Sequence, residues 1–482
     1  MSQAPAPSAT RAAKPNGVIA VLAFAGIVVS LMQTFVIPLL PELPELLDAS
    51  AADTSWAVTA TLLAGAIATP VVGRLGDMFG KRRMLLVSLG LLTAGSVVAA
   101  LRANLPVFIA GRALQGLAAG VIPLGISIMR DELPKARLAG AMALMSASLG
   151  IGGALGLPAA ALLADHADWH VLFWVAAGAG LACLGLVAAI VPESDVRSGG
   201  RFDLVGALGL SAGLFAMLLA ISKGADWGWT SAPTLGLAIA AVVILLAWGA
   251  WELRARQPLV DLRTTVRRQV LVTNLASVVF GFAMLAMSLV LPQLLQLPEA
   301  TGVGFGQSML TVGLVMAPSG LVMMAMSPIS ARITNSRGPK TTLMAGAVIV
   351  AAAYALAAVF MAEIWQLVAV AAIMGAGMGL AYGAMPALII GATPVSETAA
   401  ANSLNTLMRS IGTSVSSAVA GVILAHMTAD FGGVPLPTQD AFRLILGIAS
   451  GAALVALAVA AFLPGRKAAE PEPEPVPVAA AA

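Results

Sequence analysis

Fourteen apolar runs, each about 20 residues or longer, take up most of the 482-residue chain, and runs of that length suit only one solvent. About 20 apolar residues wound as a helix cross about 30 Å of hydrocarbon, where every backbone N–H and C=O must find its partner within the protein. The runs are predicted at 17–39, 54–73, 84–102, 105–129, 138–164, 170–192, 204–223, 231–251, 268–293, 306–330, 340–361, 364–391, 399–427 and 441–464. An all-α integral membrane fold follows. With 59% hydrophobic and 10% charged residues, the chain lies far from soluble domains, in which about a quarter of residues are charged. The net charge of +3 would suit nucleic acid only if the basic residues clustered on a solvated face. They are scattered between apolar runs, so no nucleic-acid partner is expected. Cys183 is the single cysteine, so no intrachain disulfide can form, and no removable signal peptide is predicted.

Basic residues test the count, because cytoplasmic loops should carry their excess. Placing the N-terminus inside assigns all but five of the 26 Lys and Arg to inner loops and tails. Arg102, Lys223 and Arg443 fall outside, and Arg112 and Arg409 fall within runs. Both termini are therefore expected in the cytoplasm, with the chain multi-pass in a plasma or inner membrane. The tails, 1–16 and 465–482, are rich in Pro and Ala without apolar periodicity and are expected to be disordered.

The chain also repeats itself. GRLGDMFGKRRM at Gly73–Met84 aligns with ARITNSRGPKTT at Ala331–Thr342, matching Arg74 with Arg332, Asp77 with Asn335 and Gly80 with Gly338 at an offset of 258. Gly116–Gly120 matches Gly375–Gly379, and Ile151-Gly152 matches Ile411-Gly412, at offsets of 259 and 260. Six spans with short loops need about 200 residues, so the surplus is an insertion between two halves. The expected organisation is a six-helix half at 17–192, linkers and two inserted helices at 193–267, and a second six-helix half at 268–464.

This six-plus-two-plus-six arrangement, with a charged glycine motif between the second and third runs, resembles the major facilitator superfamily, and within it the fourteen-span drug/proton antiporter branch. Gly73 to Arg83 is similar to the superfamily's first-loop motif. GRALQGLAAG at Gly111–Gly120 is similar to the branch's fourth-helix motif, and ADWGWTSAP and QPLVDLRTTVRRQV to the loops flanking its inserted pair. The resemblance implies a fold of two six-helix halves plus two inserted helices, and a secondary transporter of small amphiphilic substrates. A proton gradient would drive it, with no cofactor. A monomer is expected.

Gly73, Gly76 and Gly80 suit a tight loop or a close helix approach, and Asp77 can accept charge-assisted hydrogen bonds. The resemblance implies a gating latch: Asp77 on the other half near the helix opening around Ala399, whose N-terminus is partly positive, and Lys81 and Arg82 on Asp131 or Glu132. Basic residues here also anchor the loop against anionic lipid, and Arg83 is open to that role alone.

A charge at mid-membrane costs at least about 2.5 kcal/mol, so the two embedded arginines are informative. Arg112 and Gln115 share a helix face. The resemblance gives Arg112 a part in proton movement, and the alternative is a structural arginine bonded to backbone carbonyls. Arg409 faces either an anionic group or carbonyls. In the fifth run, Gly152, Gly156 and Pro158 resemble the antiporter motif. Leu157 separates Gly156 from Pro158 where Gly-Pro is usual, and Ala160 and Ala161 replace paired glycines. In the first run, Met32 stands where the branch carries Asp, and no predicted span holds Asp, Glu or His centrally. A proton carrier needs a group that changes protonation. The candidates are Glu42, Glu45, Asp48, Asp165, His166, His170 and His426 at outer edges, and Asp77, Asp131 and Glu132 at inner ones.

Without an acid in the spans, neutral, zwitterionic or anionic amphiphiles are favoured over dications. Met32, Gln33, Phe35, Asn274, Phe280, Met284, Tyr382, Asn402 and Asn405 are the candidate substrate-lining residues, placed by helices that flank the cavity in the fold resembled. No catalytic set, phosphate loop or metal-ligand spacing occurs, so an enzyme is not expected. Proton-driven efflux is the leading function. Uncoupled transport or uptake on the same fold, and a non-transporting sensor or structural protein, stand as alternatives.

Overall fold

The structure, a computed structural model, describes residues 15–464 except 38, 41, 102–103 and 432–433, and not the side chains of 51, 52, 164 and 165. The expectations placed on residues 1–14, Arg102, the Asp165 side chain and residues 465–482 lie outside it. Among the described residues, fourteen helices are long and apolar enough to cross a membrane. They are α1 (Pro15–Thr34), α2 (Trp56–Phe79), α3 (Lys81–Leu101), α4 (Leu105–Glu132), α5 (Lys135–Leu163), α6 (His170–Ile190), α7 (Leu204–Trp227), α8 (Ala232–Arg254), α9 (Arg268–Gln296), α10 (Met309–Arg337), α11 (Pro339–Val359), α12 (Ile364–Ile390), α13 (Val395–His426) and α14 (Gln439–Ala461).

Several ends differ from the sequence reading, each for a local reason. Pro15 and Asn16 belong to α1 rather than to the tail. At its other end α1 stops at Thr34, not at 39, and Phe35–Ile37 turn. Pro38 has no N–H to give the Thr34 carbonyl, and the Thr34 hydroxyl donates to Leu31 O at 2.8 Å. α4 carries a 3₁₀ turn at Leu117–Gly120, and α10 bends at Met326, just before Pro328. Between α13 and α14, β1 (Thr428–Phe431) and β2 (Val434–Pro437) pair antiparallel.

Packing follows the two halves. One apolar core unites α1 with α3, α4 and α6, a second unites α9 with α11, α12 and α14, and a third joins the inserted pair to the rest. In that third cluster Leu210, Leu214 and Leu218 of α7 meet Leu63 of α2 and Leu404 and Leu407 of α13. α8 lies outermost: Ile239, Val242, Val243 and Leu246 are all more than half exposed, as lipid-facing side chains should be.

The halves meet mainly along two helix pairs, α2 with α13 and α5 with α10, and α5 also packs on α12 and α4 on α13. Small residues set both separations, because helices in lipid associate by close packing rather than by apolar burial. A Cβ on Gly320 would lie 2.2 Å from the Gly150 carbonyl oxygen and 2.5 Å from Ala154 Cβ. Backbone cannot yield there as a flexible side chain would. Gly320→Ala is expected to cost about 1–3 kcal/mol of stability, read as a lowered unfolding midpoint in detergent. A midpoint equal to the parent's would show that the two helices separate without cost.

Candidate gate and buried charge sites

At the end of the bundle that carries the α2–α3 connection, here the basic face, glycines let α2 approach three partners. A Cβ on Gly73 would sit 2.6 Å from Ser403 Cβ and 2.7 Å from Ala399 O of α13, and one on Gly76 would meet Leu124 of α4 at 2.5 Å. Gly80 ends α2 with φ +115°, a conformation open to glycine and strained for any other residue. The chain therefore turns at once into α3, leaving Asp77 beside the start of α13.

Asp77 is fully buried. Its Oδ1 accepts from Ala399 N at 3.1 Å and its Oδ2 from Ala400 N at 2.8 Å. These amides lie in the first α-helical turn of α13, which opens at Thr398 after a 3₁₀ turn at Val395–Glu397, where N–H groups lack partners in their own helix. A carboxylate from one half thus caps a helix of the other, where the dipole supplies roughly half a positive charge. Ser198 N, in the linker after α6, donates to the Asp77 carbonyl at 2.8 Å.

Lys81 is also fully buried, with Nζ 2.6 Å from Asp131 Oδ2 and 3.8 Å from Asp77 Oδ1. Ser194 Oγ donates to the same Asp131 oxygen at 2.7 Å. Arg82 goes elsewhere, against the expectation that it meets Asp131 or Glu132. Its guanidinium donates to Ala188 O at 2.5 Å and its backbone N–H to Glu193 Oε1 at 3.3 Å. One residue along a helix turns a side chain by about 100°, which carries Arg82 from the α4 side to the end of α6.

Arg130 was not singled out in the sequence, although it precedes Asp131. It donates to the carbonyls of Ile390 (3.2 Å), Thr393 (3.1 Å) and Pro394 (3.2 Å) and to Thr398 Oγ1 (2.5 Å). A cation of the first half therefore caps the C-terminus of α12 while Asp77 caps the N-terminus of α13. The only legible signal was a basic residue ending α4.

Arg112 is 2% exposed and lies within the first half. Its Nη1 donates to Gln115 Oε1 at 2.6 Å and to Met32 O at 3.3 Å, and its Nε donates to Ala57 O at 3.3 Å. Met32 O belongs to the last turn of α1, whose early stop leaves carbonyls for it. Gln115 Nε2 donates to Ser96 Oγ at 2.8 Å, and Ser96 Oγ lies 3.9 Å from Met32 Sδ. The thioether of Met32, the residue that stands where the resembled branch carries Asp, thus lies beside the Arg112, Gln115 and Ser96 cluster. No described carboxylate lies within 4 Å of the Arg112 guanidinium.

The α5 glycines each receive a neighbour. A Cβ on Gly152 would meet Ser30, one on Gly156 would meet Thr34, and Pro158 packs against Gly313 of α10. Of the candidate lining residues, Met32, Phe35, Phe280, Tyr382, Asn274, Asn402 and Asn405 are buried in this conformation, Met284 is partly exposed and Gln33 exposed. Asn405 Nδ2 donates to Asn274 Oδ1 at 2.9 Å and to Ser277 Oγ at 2.7 Å, and Tyr382 OH reaches Met284 Sδ at 3.3 Å. Asn402 instead donates to its own helix, to Thr398 O at 2.9 Å.

At the other end of the bundle His170 stacks on Trp169 and its Nδ1 lies 2.5 Å from Asp168 Oδ1. The His170 backbone N–H, and then its ring, hold the Asp168 carboxyl below the usual carboxylate range. His166 and His426 each place Nδ1 on a carbonyl of their own helix, at 3.0 Å and 2.9 Å. Glu252, at the α8 terminus just past the predicted run, is buried and lines a polar cavity of about 330 Å³ with Arg74, Arg256, Arg263 and Glu397.

The family model described as Major Facilitator Superfamily matches the chain over residues 22–338 and again over 275–481. An uncharacterized MFS-type transporter of Mycobacterium tuberculosis is 28% identical over 90% of this chain, which spans 65% of that protein's length. The tetracenomycin C resistance and export protein of Streptomyces glaucescens is 26% identical, over 86% of this chain and 77% of that one. A probable actinorhodin transporter of Streptomyces coelicolor is 27% identical, over 76% of this chain and 65% of that one. Among solved structures, the human organic anion transporter MFSD10 (TETRAN) superposes with a TM-score of 0.66 at 16% identity, covering 92% of this chain and 99% of that one. That likeness speaks to fold.

Proposed function

Because the chain belongs to the Major Facilitator Superfamily, we propose that it is a secondary active transporter that exports amphiphilic drugs, antibiotics or metabolites by alternating access, in exchange for protons. One observation carries the reading: the halves are joined at the basic face by Asp77 on α13 and Arg130 on the α12–α13 connection. Such contacts between helix ends and single charged side chains can break and re-form as rigid halves rock about a central site. The excess of Lys and Arg supports a cytoplasmic orientation for that face in a plasma or inner membrane, and on this reading the conformation is the one with its inner gate shut. The relatives named for tetracenomycin C export and actinorhodin transport support export as the direction. The transporter works as a monomer and takes its energy from the proton gradient, without a cofactor.

Everted vesicles holding a preset pH gradient test this, with neutral, anionic and cationic amphiphiles added in turn. Proton release triggered by one class supports exchange. Substrate equilibration without proton movement would overturn the exchange and leave facilitated transport, a reading that Met32 beside Arg112 favours. Met32→Asp, which places a carboxylate in that cluster, is expected to raise substrate-triggered proton release. Release equal to the parent's would remove position 32 from the coupling path.

A further inference from the structure

The two membrane-embedded arginines are treated differently by the fold. Arg112 is sealed and its donors meet two carbonyls and an amide oxygen. Arg409 lies about midway along α13, partly exposed, with no hydrogen bond or ion pair to a described residue. What it does have is an aromatic face: its guanidinium carbon stands 4.9 Å from the centroid of the Tyr382 ring on α12. Tyr382 is itself 1% exposed, so the Arg409 side chain points into the second half and not toward lipid.

A cation–π contact offsets only part of the cost of an embedded guanidinium, and its planar N–H donors stay free. Close by, Met284 of α9 accepts from the Tyr382 hydroxyl and is partly exposed, an adaptable apolar neighbour. One turn earlier on α13, Asn405 is tied to Asn274 and Ser277, and the Asn274 amide nitrogen is buried without a hydrogen-bond partner. The Arg409 donors thus stand where α9, α12 and α13 meet, and unused donors in a low-dielectric interior call for an acceptor.

We propose that Arg409, standing on Tyr382, is the recognition site for the anionic group of the substrate, so that the chain carries amphiphilic aromatic or aliphatic carboxylates, sulfonates or phenolates in preference to cations. The proposal rests on the transport reading above and narrows it to a substrate class. Guanidinium and carboxylate or sulfonate oxygens pair through two parallel N–H···O bonds. The apolar body of the ligand then lies against Met284.

The test uses the full chain reconstituted in vesicles and a matched pair of fluorescent probes, anionic dansyltaurine and neutral dansylamide. Dansyltaurine uptake and binding are expected in the parent, with binding weakened about 10- to 100-fold in Arg409→Gln and dansylamide binding unchanged. Arg409→Lys, which keeps the charge and loses the fork, is expected to fall between. Equal dansyltaurine binding by the parent and by Arg409→Gln would overturn the anion site while leaving transport standing. Binding without uptake of either probe in the parent would instead overturn the transport reading. An Arg409→Gln protein that loses both probes together would assign Arg409 to folding, a result that also overturns the proposal and that Arg409→Lys would check independently.

Discussion

Asp77→Asn is expected to lower substrate flux about tenfold or more while leaving the protein folded. The carboxylate accepts two backbone N–H groups from the other half, and each such charge-assisted bond is worth about 1.5–3 kcal/mol. An amide keeps one acceptor and turns an NH₂ toward the second amide, so one bond becomes a repulsion and the attraction to the helix dipole is lost. The closed state at the basic face would become rare, and a carrier that cannot close one gate cannot complete its cycle. Ser403→Cys provides the readout, since Ser403 lies fully buried against Gly73 and the single native cysteine, Cys183, is buried too. In a Ser403→Cys background that retains transport, adding Asp77→Asn should raise thiol labelling from the basic face. Unchanged labelling together with unchanged flux would show that the contact is incidental to gating.

Arg112→Leu separates the two roles weighed for that residue. Removing the guanidinium leaves Met32 O and Gln115 Oε1 without their donor, at about 1–3 kcal/mol each. It also relieves a buried charge whose cost is about 2.5 kcal/mol. The balance is a net loss of about 2 kcal/mol, because Leu leaves a void as well. A lowered unfolding midpoint would show that the arginine closes the end of α1. A midpoint equal to or above the parent's, with transport abolished, would show that its charge is kept for the cycle.

The contacts of the candidate gate were partly legible because their chemistry is local. Gly73, Gly76 and Gly80 around an acid announce a tight, close-packed helix connection, and the structure places Asp77 against Ala399 and Ala400. Arg130 was not legible, since nothing in Met129-Arg130-Asp131 says that α12 ends within reach. The direction of Arg82 was misread for a related reason: basic neighbours in sequence point to opposite sides once they stand on a helix. The end of α1 was read five residues too long because hydropathy continues through Phe35–Leu40 after the hydrogen-bond ladder has stopped. That early stop supplies the carbonyl that Arg112 uses.

By itself the sequence determined the solvent, the fourteen spans and the doubling of the chain. These depend on apolar length and on repeated spacing, both of which are properties of segments. Only the tertiary structure decided which charges meet. It set Asp77 on a helix N-terminus, Lys81 on Asp131 and Arg130 on a helix C-terminus, sealed Arg112 in its own half, and left Arg409 with an aromatic ring and open donors. A charge in a membrane protein is satisfied by whatever helix end or side chain the packing brings within about 3 Å, and residues more than 300 positions apart in Asp77 and Ala399 have no local pattern from which that meeting could be read.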